Sequence, residues 1–187
     1  TFTVSSPSIS VSRASGGSGS NLGVTGTGFG AGESGISVLY DAVSVPTGVI
    51  ATALGNWNAT IVLPPSPGGS HTIKAFGNTT QSSSVVPLTF QITPLITSNQ
   101  TRGSSGTSIT INGSGFAANE GGITVTFDGT PAMSGITALA DGTWTTTFSV
   151  PASSGGPHGI KASGSTTLSF NVSELSFFIN AGMSISR

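Results

Sequence analysis

One stretch of this chain occurs twice, from Gly55 to Gly77 and again from Gly142 to Gly164. Each copy runs from a glycine to a tryptophan, Trp57 or Trp144, and then through an alternating segment to Pro64 or Pro151. A Gly-Gly pair follows, and then His-x-Ile-Lys-Ala, at His71 to Ala75 and at His158 to Ala162. The two copies keep a constant offset of about 87 residues, which makes the chain an internal duplication. A chain of 187 residues built in this way folds as two small domains of roughly 80 to 90 residues each rather than as one large body.

The rest of each repeat reads as β-structure. Trp144, Thr146, Phe148 and Val150 point one way, and Thr143, Thr145, Thr147 and Ser149 the other, so one face of that strand is core and the other meets water or a partner. Leu22 with Val24, and Ile109 with Ile111, alternate in the same way. Each of those strands ends in Gly-x-Gly-Phe, where the glycines permit positive φ and Phe29 or Phe116 turns back to plug the core. A Gly-x-Gly can also cradle a phosphate, but that requires a following helix and a βαβ unit, and neither is present. Ile36 to Tyr40 and Ile123 to Phe127 are the most strand-like runs, each followed by an aspartate turn at Asp41 or Asp128. The first repeat closes with Val85 to Ile92, and the second with Leu168, Phe170 and Val172 after a connection about seven residues shorter. About seven short strands per repeat, with turn signals every 8 to 12 residues, give an all-β fold of two tandem immunoglobulin-like Greek-key β-sandwich domains.

These residues carry a resemblance. A Pro-led first strand, the Gly-x-Gly-Phe after the second, the aromatic-Asp turns Tyr40-Asp41 and Phe127-Asp128, and the Trp-to-Pro strand resemble the IPT/TIG immunoglobulin-like repeats of bacterial and archaeal cell-surface proteins. The resemblance implies roles as stalks, spacers or adhesion modules and, in some transcription factors, as DNA-binding or dimerising domains. The reading divides the chain into an N-terminal strand at 1–6, repeat 1 at 7–92, repeat 2 at 93–173 and a C-terminal tail strand at 174–187.

Composition narrows the role. Charged residues make up 6% of the chain, far below the roughly 25% usual in soluble proteins. A surface so poor in charge associates readily, so it is expected to be covered by glycans or packed into an assembly. The five basic residues, Arg13, Lys74, Arg102, Lys161 and Arg187, are scattered and the formal net charge is -1, which excludes a nucleic-acid footprint. No apolar run approaches the 18 to 20 residues of a membrane span, and no signal-peptide pattern opens the chain, which therefore reads as a mature or trimmed product. The Ser/Thr richness suits an extracellular or cell-surface location, and the absence of cysteine leaves that open.

Chemistry is sparse. His71 and His158 stand at matching places in separate repeats, so they are not expected to share a metal, and no carboxylate near either in sequence suggests a base with its orienter. No Gly-x-Ser-x-Gly elbow stands between a strand and a helix. Glu33 with Asp41 recurs as Glu120 with Asp128. Such a pair can contribute to a Ca²⁺ site, or each member can simply accept backbone N–H bonds in its loop. Trp57 and Trp144 can stack on a sugar, but their inward register makes them core anchors together with Phe29 and Phe116. No catalytic residue, cofactor or metal ligand is assigned. Five asparagines head Asn-x-Ser/Thr sequons, Asn58, Asn78, Asn99, Asn112 and Asn171. Asn58, Asn112 and Asn171 are expected on outward faces and the other two in loops, so all five are candidate glycosylation sites.

The expectation is a non-enzymatic structural subunit of an extracellular filament or surface coat. Phe2 and Val4 form an opening strand, and Leu175, Phe177 and Ile179 a closing one, neither with a place in a repeat. Such strands can be donated to a neighbour's sheet edge, which assembles copies of the chain head to tail. The alternative is an adhesin, carbohydrate-binding or spacer module of a longer secreted surface protein, with surface glycans as partners. In that case residues 1–4 are the end of a preceding repeat.

Overall fold

In the computed structural model, which describes residues 6–41 and 43–180, the alternation becomes sixteen strands and two single 3₁₀ turns. The chain forms two compact units that part between Ile92 and Thr93. The first contains β1 (Ser8–Val11), β2 (Ser15–Gly16), β3 (Asn21–Thr27), β4 (Ser37–Tyr40), β5 (Val43–Pro46), β6 (Trp57–Val62), β7 (Gly69–Phe76) and β8 (Leu88–Ile92). The second repeats this as β9 (Leu95–Ser98), β10 (Arg102–Gly103), β11 (Ser108–Ser114), β12 (Ile123–Phe127), β13 (Thr130–Ile136), β14 (Trp144–Ser149), β15 (Gly156–Ser163) and β16 (Leu175–Ile179). No helix among the described residues is long and apolar enough to cross a membrane.

Each unit is a sandwich. In the first, a three-stranded sheet ordered β1-β3-β6 faces a five-stranded sheet ordered β2-β8-β7-β4-β5, and the chain crosses between them after β1, β2, β3, β5 and β6. The second has the same order, β9-β11-β14 against β10-β16-β15-β12-β13. All pairings are antiparallel except β2 with β8 and β10 with β16, which are short and parallel.

The duplication extends to every core side chain. Sixteen buried apolar residues fill the first core and sixteen the second, and each in one has its counterpart in the other at the same offset, from Ile9 and Ile96 to Ile92 and Ile179. At the middle of each core the indole lies across a glycine of the neighbouring strand, Trp57 over Gly26 and Trp144 over Gly113. A phenylalanine meets each indole edge to face, with centroids 5.3 Å apart for Phe29–Trp57 and 5.2 Å for Phe116–Trp144. Glycine is required at Gly26 and Gly113 because the indole occupies the space of a Cβ.

The closing strand corrects two sequence expectations. Leu175, Phe177 and Ile179 are not a spare strand, since β16 pairs with β15 along its whole length and Phe177 and Ile179 are buried in the second core. They match Leu88, Phe90 and Ile92 of β8, so the second unit runs through Ile179 and its last connection is as long as that of the first. Residues 168–172 are not strand. Ser169–Asn171 is a 3₁₀ turn, as is Ser82–Ser84, and only Val172 or Val85 of that segment reaches the core. Phe2 and Val4 lie outside the described residues.

Substituting alanine at Gly26 or Gly113 drives a methyl group into the indole ring. Each variant is expected to lose about 1–3 kcal/mol or more of stability in its own unit by denaturant unfolding. Unchanged unfolding would show that the indole has room to move.

Candidate functional site

Polar side chains gather at two places in each unit. The first is a buried glutamate in the loop before β4 or β12. Glu33 is 5% exposed and Glu120 4%. One oxygen of Glu33 accepts the backbone N–H of Thr79 at 2.7 Å and that of Thr80 at 2.6 Å. The other accepts the N–H of Gly30 and the hydroxyl of Thr80, both at 2.7 Å. Its own carbonyl accepts the N–H of Ala51. Glu120 repeats the arrangement with the N–H groups of Thr166, Thr167 and Ala117 and the hydroxyl of Thr167. The carboxylate therefore ties the loop after β3 to the turn after β7, and the backbone carbonyl of the same glutamate adds the segment before β6. Burial pushes the Glu33 carboxyl up, but the bonds from Thr80, Thr79 and Gly30 outweigh it and lower its pKa to about 2. The same balance lowers Glu120.

The second place lies at the opposite end of β4 and β12. Asp41 and Asp128 adopt left-handed φ values of 50° and 49°, which aspartate tolerates better than most residues. Each turns its carboxylate onto the neighbouring strand. Asp41 accepts the N–H of Thr72 at 2.8 Å and meets His71 Nδ1 at 2.7 Å. Asp128 accepts the N–H of Gly159 at 2.9 Å and meets His158 Nδ1 at 2.6 Å. The imidazoles stack on the preceding aromatic rings, His71 on Tyr40 with centroids 5.0 Å apart and His158 on Phe127 at 5.1 Å. His158 Nε2 lies 2.9 Å from the carbonyl oxygen of Ser154. Both neighbours of that ring are acceptors, so the ring satisfies them only by carrying both protons. The Asp128 bond and then the Ser154 carbonyl accordingly raise the His158 pKa. The His158 bond and then the Gly159 N–H hold Asp128 below the usual carboxylate range.

This geometry revises the sequence reading of the acids and histidines. Glu33 and Asp41 stand at opposite ends of β4, as Glu120 and Asp128 do at opposite ends of β12, so neither pair converges on one Ca²⁺. Among the described residues no group of three or more metal-ligating side chains occurs. Each histidine does have a paired carboxylate, contrary to the expectation. It is 30 residues away in sequence, and its recurrence at the same spacing in both repeats is the signal that identifies it. Thr79-Thr80 and Thr166-Thr167, the partners of the glutamates, recur in the same way.

Trp57 and Trp144 are 6% and 4% exposed. Their Nε1 atoms are buried without a hydrogen-bond partner among the described residues, so these rings offer a sugar neither a face nor a donor. Beside them, outside the core, each three-stranded sheet has an open groove, about 680 Å³ in the first unit and about 510 Å³ in the second. All five sequon asparagines are exposed. Asn58 lies on β6 and Asn112 on β11, Asn78 and Asn99 just beyond β7 and β9, and Asn171 in the 3₁₀ turn rather than on a strand face.

The model of the IPT/TIG domain family matches residues 4–92 and again residues 94–179. No curated protein matches the chain. Among solved structures, the chain is similar to SGBP-B of the Bacteroides ovatus mixed-linkage glucan utilization locus, solved with a mixed-linkage heptasaccharide. That match has 13% identity and a TM-score of 0.41 over 89% of this chain and 42% of that one. The adhesin InvE of Yersinia pseudotuberculosis matches at 12% identity and a TM-score of 0.40, over 92% of this chain and 59% of InvE. The Escherichia coli adhesin FdeC matches at 15% and 0.39, over 97% of this chain and 65% of FdeC. The chain thus spans less than two thirds of the length of each, and likenesses at these scores say nothing about what it binds.

The carboxylates and the histidine set opposite pH limits. Glu33, Glu120 and Asp128 bind protons more weakly in the folded state. Their contribution is present above the ordinary carboxylate range and is lost as pH falls below it; for Glu33, whose folded pKa is about 2, it amounts to roughly 3 kcal/mol. His158 binds its proton more tightly when folded, so its contribution is full below about pH 6.5 and is lost as pH rises through its raised value. Thermal unfolding is expected to show greatest stability between about pH 4.5 and 6.5. Glu33→Gln should cost the first unit about 2–4 kcal/mol near pH 6, because an amide N–H then faces N–H donors. A variant as stable as the parent at that pH would refute the clamp.

Proposed function

The chain belongs to the IPT/TIG family in both halves, and from that premise we propose that it is a non-enzymatic structural module of an extracellular surface or filament. The observation that carries this reading is how the polar groups are used. The buried glutamates and the Asp–His pairs, the side chains best suited to chemistry, are engaged with backbone N–H groups and carbonyls that hold loops in place. Side chains committed to rigidity suit a spacer or scaffold, as does a neutral surface with 6% charged residues.

Association of copies is the finer part of the proposal. The two units share their core but differ outside it. Leu168, Phe170 and Phe178 of the second unit are 49%, 76% and 46% exposed, and they stand where the first unit has Gln81, Ser83 and Gln91. The first unit in turn exposes Val43, Ile50, Leu54, Val62 and Val86 where the second has Thr130, Thr137, Asp141, Ser149 and Ser173, so each unit carries apolar residues of its own that support a contact with another molecule. Strand addition through Thr1–Ser6, with Phe2 and Val4 as its apolar residues, is the second route. The slot of a last strand is filled in both units by β8 and β16. A donated strand would therefore pair with an open edge: β1, β2, β5 or β6 in the first unit, β9, β10, β13 or β14 in the second.

An adhesive or sugar-binding role would draw on the same exposed Phe170 and Phe178, the two phenylalanines left on the described surface. Electron microscopy and sedimentation of the purified chain separate these readings. Filaments are expected from the full chain, with severalfold less assembly on deletion of Thr1–Ser6 or on Phe170→Ser. A monomer at all concentrations that binds a polysaccharide would replace the filament reading with the adhesive one. Undiminished assembly without Thr1–Ser6 would exclude strand donation.

A further inference from the structure

The three-stranded sheets present outward faces without a single charge. Ser8, Ser10, Thr25, Thr27, Asn58 and Thr60 stand on one beside the apolar Val62, and Thr97, Thr110, Asn112, Thr145, Thr147 and Ser149 on the other beside Leu95. Hydroxyls pair across these strands, Ser10 with Thr25 at 2.6 Å and Thr110 with Thr147 at 3.1 Å. One cross-strand pair breaks the pattern. In the first unit Thr25 of β3 stands opposite Asn58 of β6, and in the second Asn112 of β11 stands opposite Thr145 of β14. The asparagine and the threonine have exchanged strands. Because directly opposed side chains lie only about 5 Å apart, the asparagine still occupies the same spot on both sheets. Each of these asparagines begins a sequon, Asn58-Ala59-Thr60 and Asn112-Gly113-Ser114.

The other three sequons differ in ways that matter chemically. Asn78 Nδ2 donates to Ser34 Oγ at 3.0 Å, and the hydroxyl of its sequon partner Thr80 is held by Glu33. Asn99 Oδ1 accepts the N–H of Thr110 at 2.9 Å. Asn171 sits in a turn and matches Ser84 in the first unit, so it is not repeated. Asn58 and Asn112 are exposed, and neither side chain is bonded among the described residues. On a strand, residues i and i+2 share a face, so each asparagine amide lies beside its sequon hydroxyl. Each also borders the groove beside the tryptophan, which has room for a sugar ring.

We propose that Asn58 and Asn112 carry N-linked glycans, one on the same spot of each unit. The chemistry requires an activated donor of the lipid-linked glycosyl diphosphate class and a transferase. Nδ2 forms a bond to the anomeric carbon, the anomeric C–O bond breaks, the diphosphate leaves with its electron pair, and one amide proton passes to a base of the transferase. Two glycans so placed cover the neutral hydroxyl faces, which a chain with so little charge otherwise leaves open to non-specific association. The proposal rests on the reading of the chain as an exported protein.

Protein purified from its native source tests this by proteolysis and mass spectrometry with electron-transfer fragmentation, alongside cell fractionation and protease shaving of intact cells. Glycan masses are expected on Asn58 and Asn112 at severalfold higher occupancy than on Asn78 or Asn99. Asn58→Gln and Asn112→Gln are each expected to remove one glycan mass while leaving the circular dichroism spectrum unchanged. Unmodified Asn58 and Asn112 on a surface-exposed chain, or modification confined to the other three sites, would overturn the glycan proposal alone. Recovery of the chain inside cells, protected from protease, would instead overturn the surface reading beneath it.

Discussion

A carboxylate sealed from water and surrounded by N–H donors fixes the loop end of each sandwich. Taking a charge out of water is costly unless hydrogen bonds replace the hydration shell, and Glu33 and Glu120 each receive three backbone N–H bonds and one hydroxyl in exchange. Those donors come from loops far apart in sequence. No loop can shift without leaving either a buried charge or a buried N–H unpaired, so the connections are held as firmly as the sheets. At the other end of β4 and β12 the Asp–His pairs bracket the neighbouring strand to the turn. Both ends of each sandwich are thus closed by polar bonds between loops and strands.

The core was legible in the sequence because it depends on period-two alternation and on the offset between the copies. The tryptophan strands, the Gly-x-Gly-Phe motif and the first strands fall where their patterns put them. The last connection departs from the sequence pattern for a physical reason. Leu168, Phe170 and Val172 alternate as a strand would, yet only Val172 reaches the core, and the segment turns once as 3₁₀ before β16 begins. Exposed Leu168 and Phe170 mimic the inward register of a strand, so alternation alone places the true last strand outside the repeat. The constant offset was the better guide, since it places Phe177 opposite Phe90 and Ile179 opposite Ile92.

The polar clamps were invisible to pattern reading because their partners are distant in sequence. Glu33 bonds to residues 46 and 47 positions further on, and His71 to an aspartate 30 positions back. Periodicity reports only which face a residue occupies, so it cannot show which turn a carboxylate will close. The Asp41 and Asp128 turns show the limit well: the aspartates were recognisable as turn residues, but not as anchors of the next strand but two.

The duplication also separates what the fold needs from what the surface does. Positions facing the interior match in kind from one unit to the other: aliphatic with aliphatic, aromatic with aromatic, apart from Ile61 with Phe148. Outside the core that constraint lapses. The first unit keeps Gln81, Ser83 and Gln91 where the second has Leu168, Phe170 and Phe178, and burying none of these six stabilises the sandwich that carries it. If glycans occupy the three-stranded faces, these apolar residues, which lie on the last strand and the turn before it, remain open to contact, as do Val43, Leu54 and Val86 of the first unit. An apolar group in water gains free energy only when something covers it. The two units therefore offer different apolar patches, and contacts between unlike patches do not close on themselves, whereas contacts in which the same patch meets its own copy do.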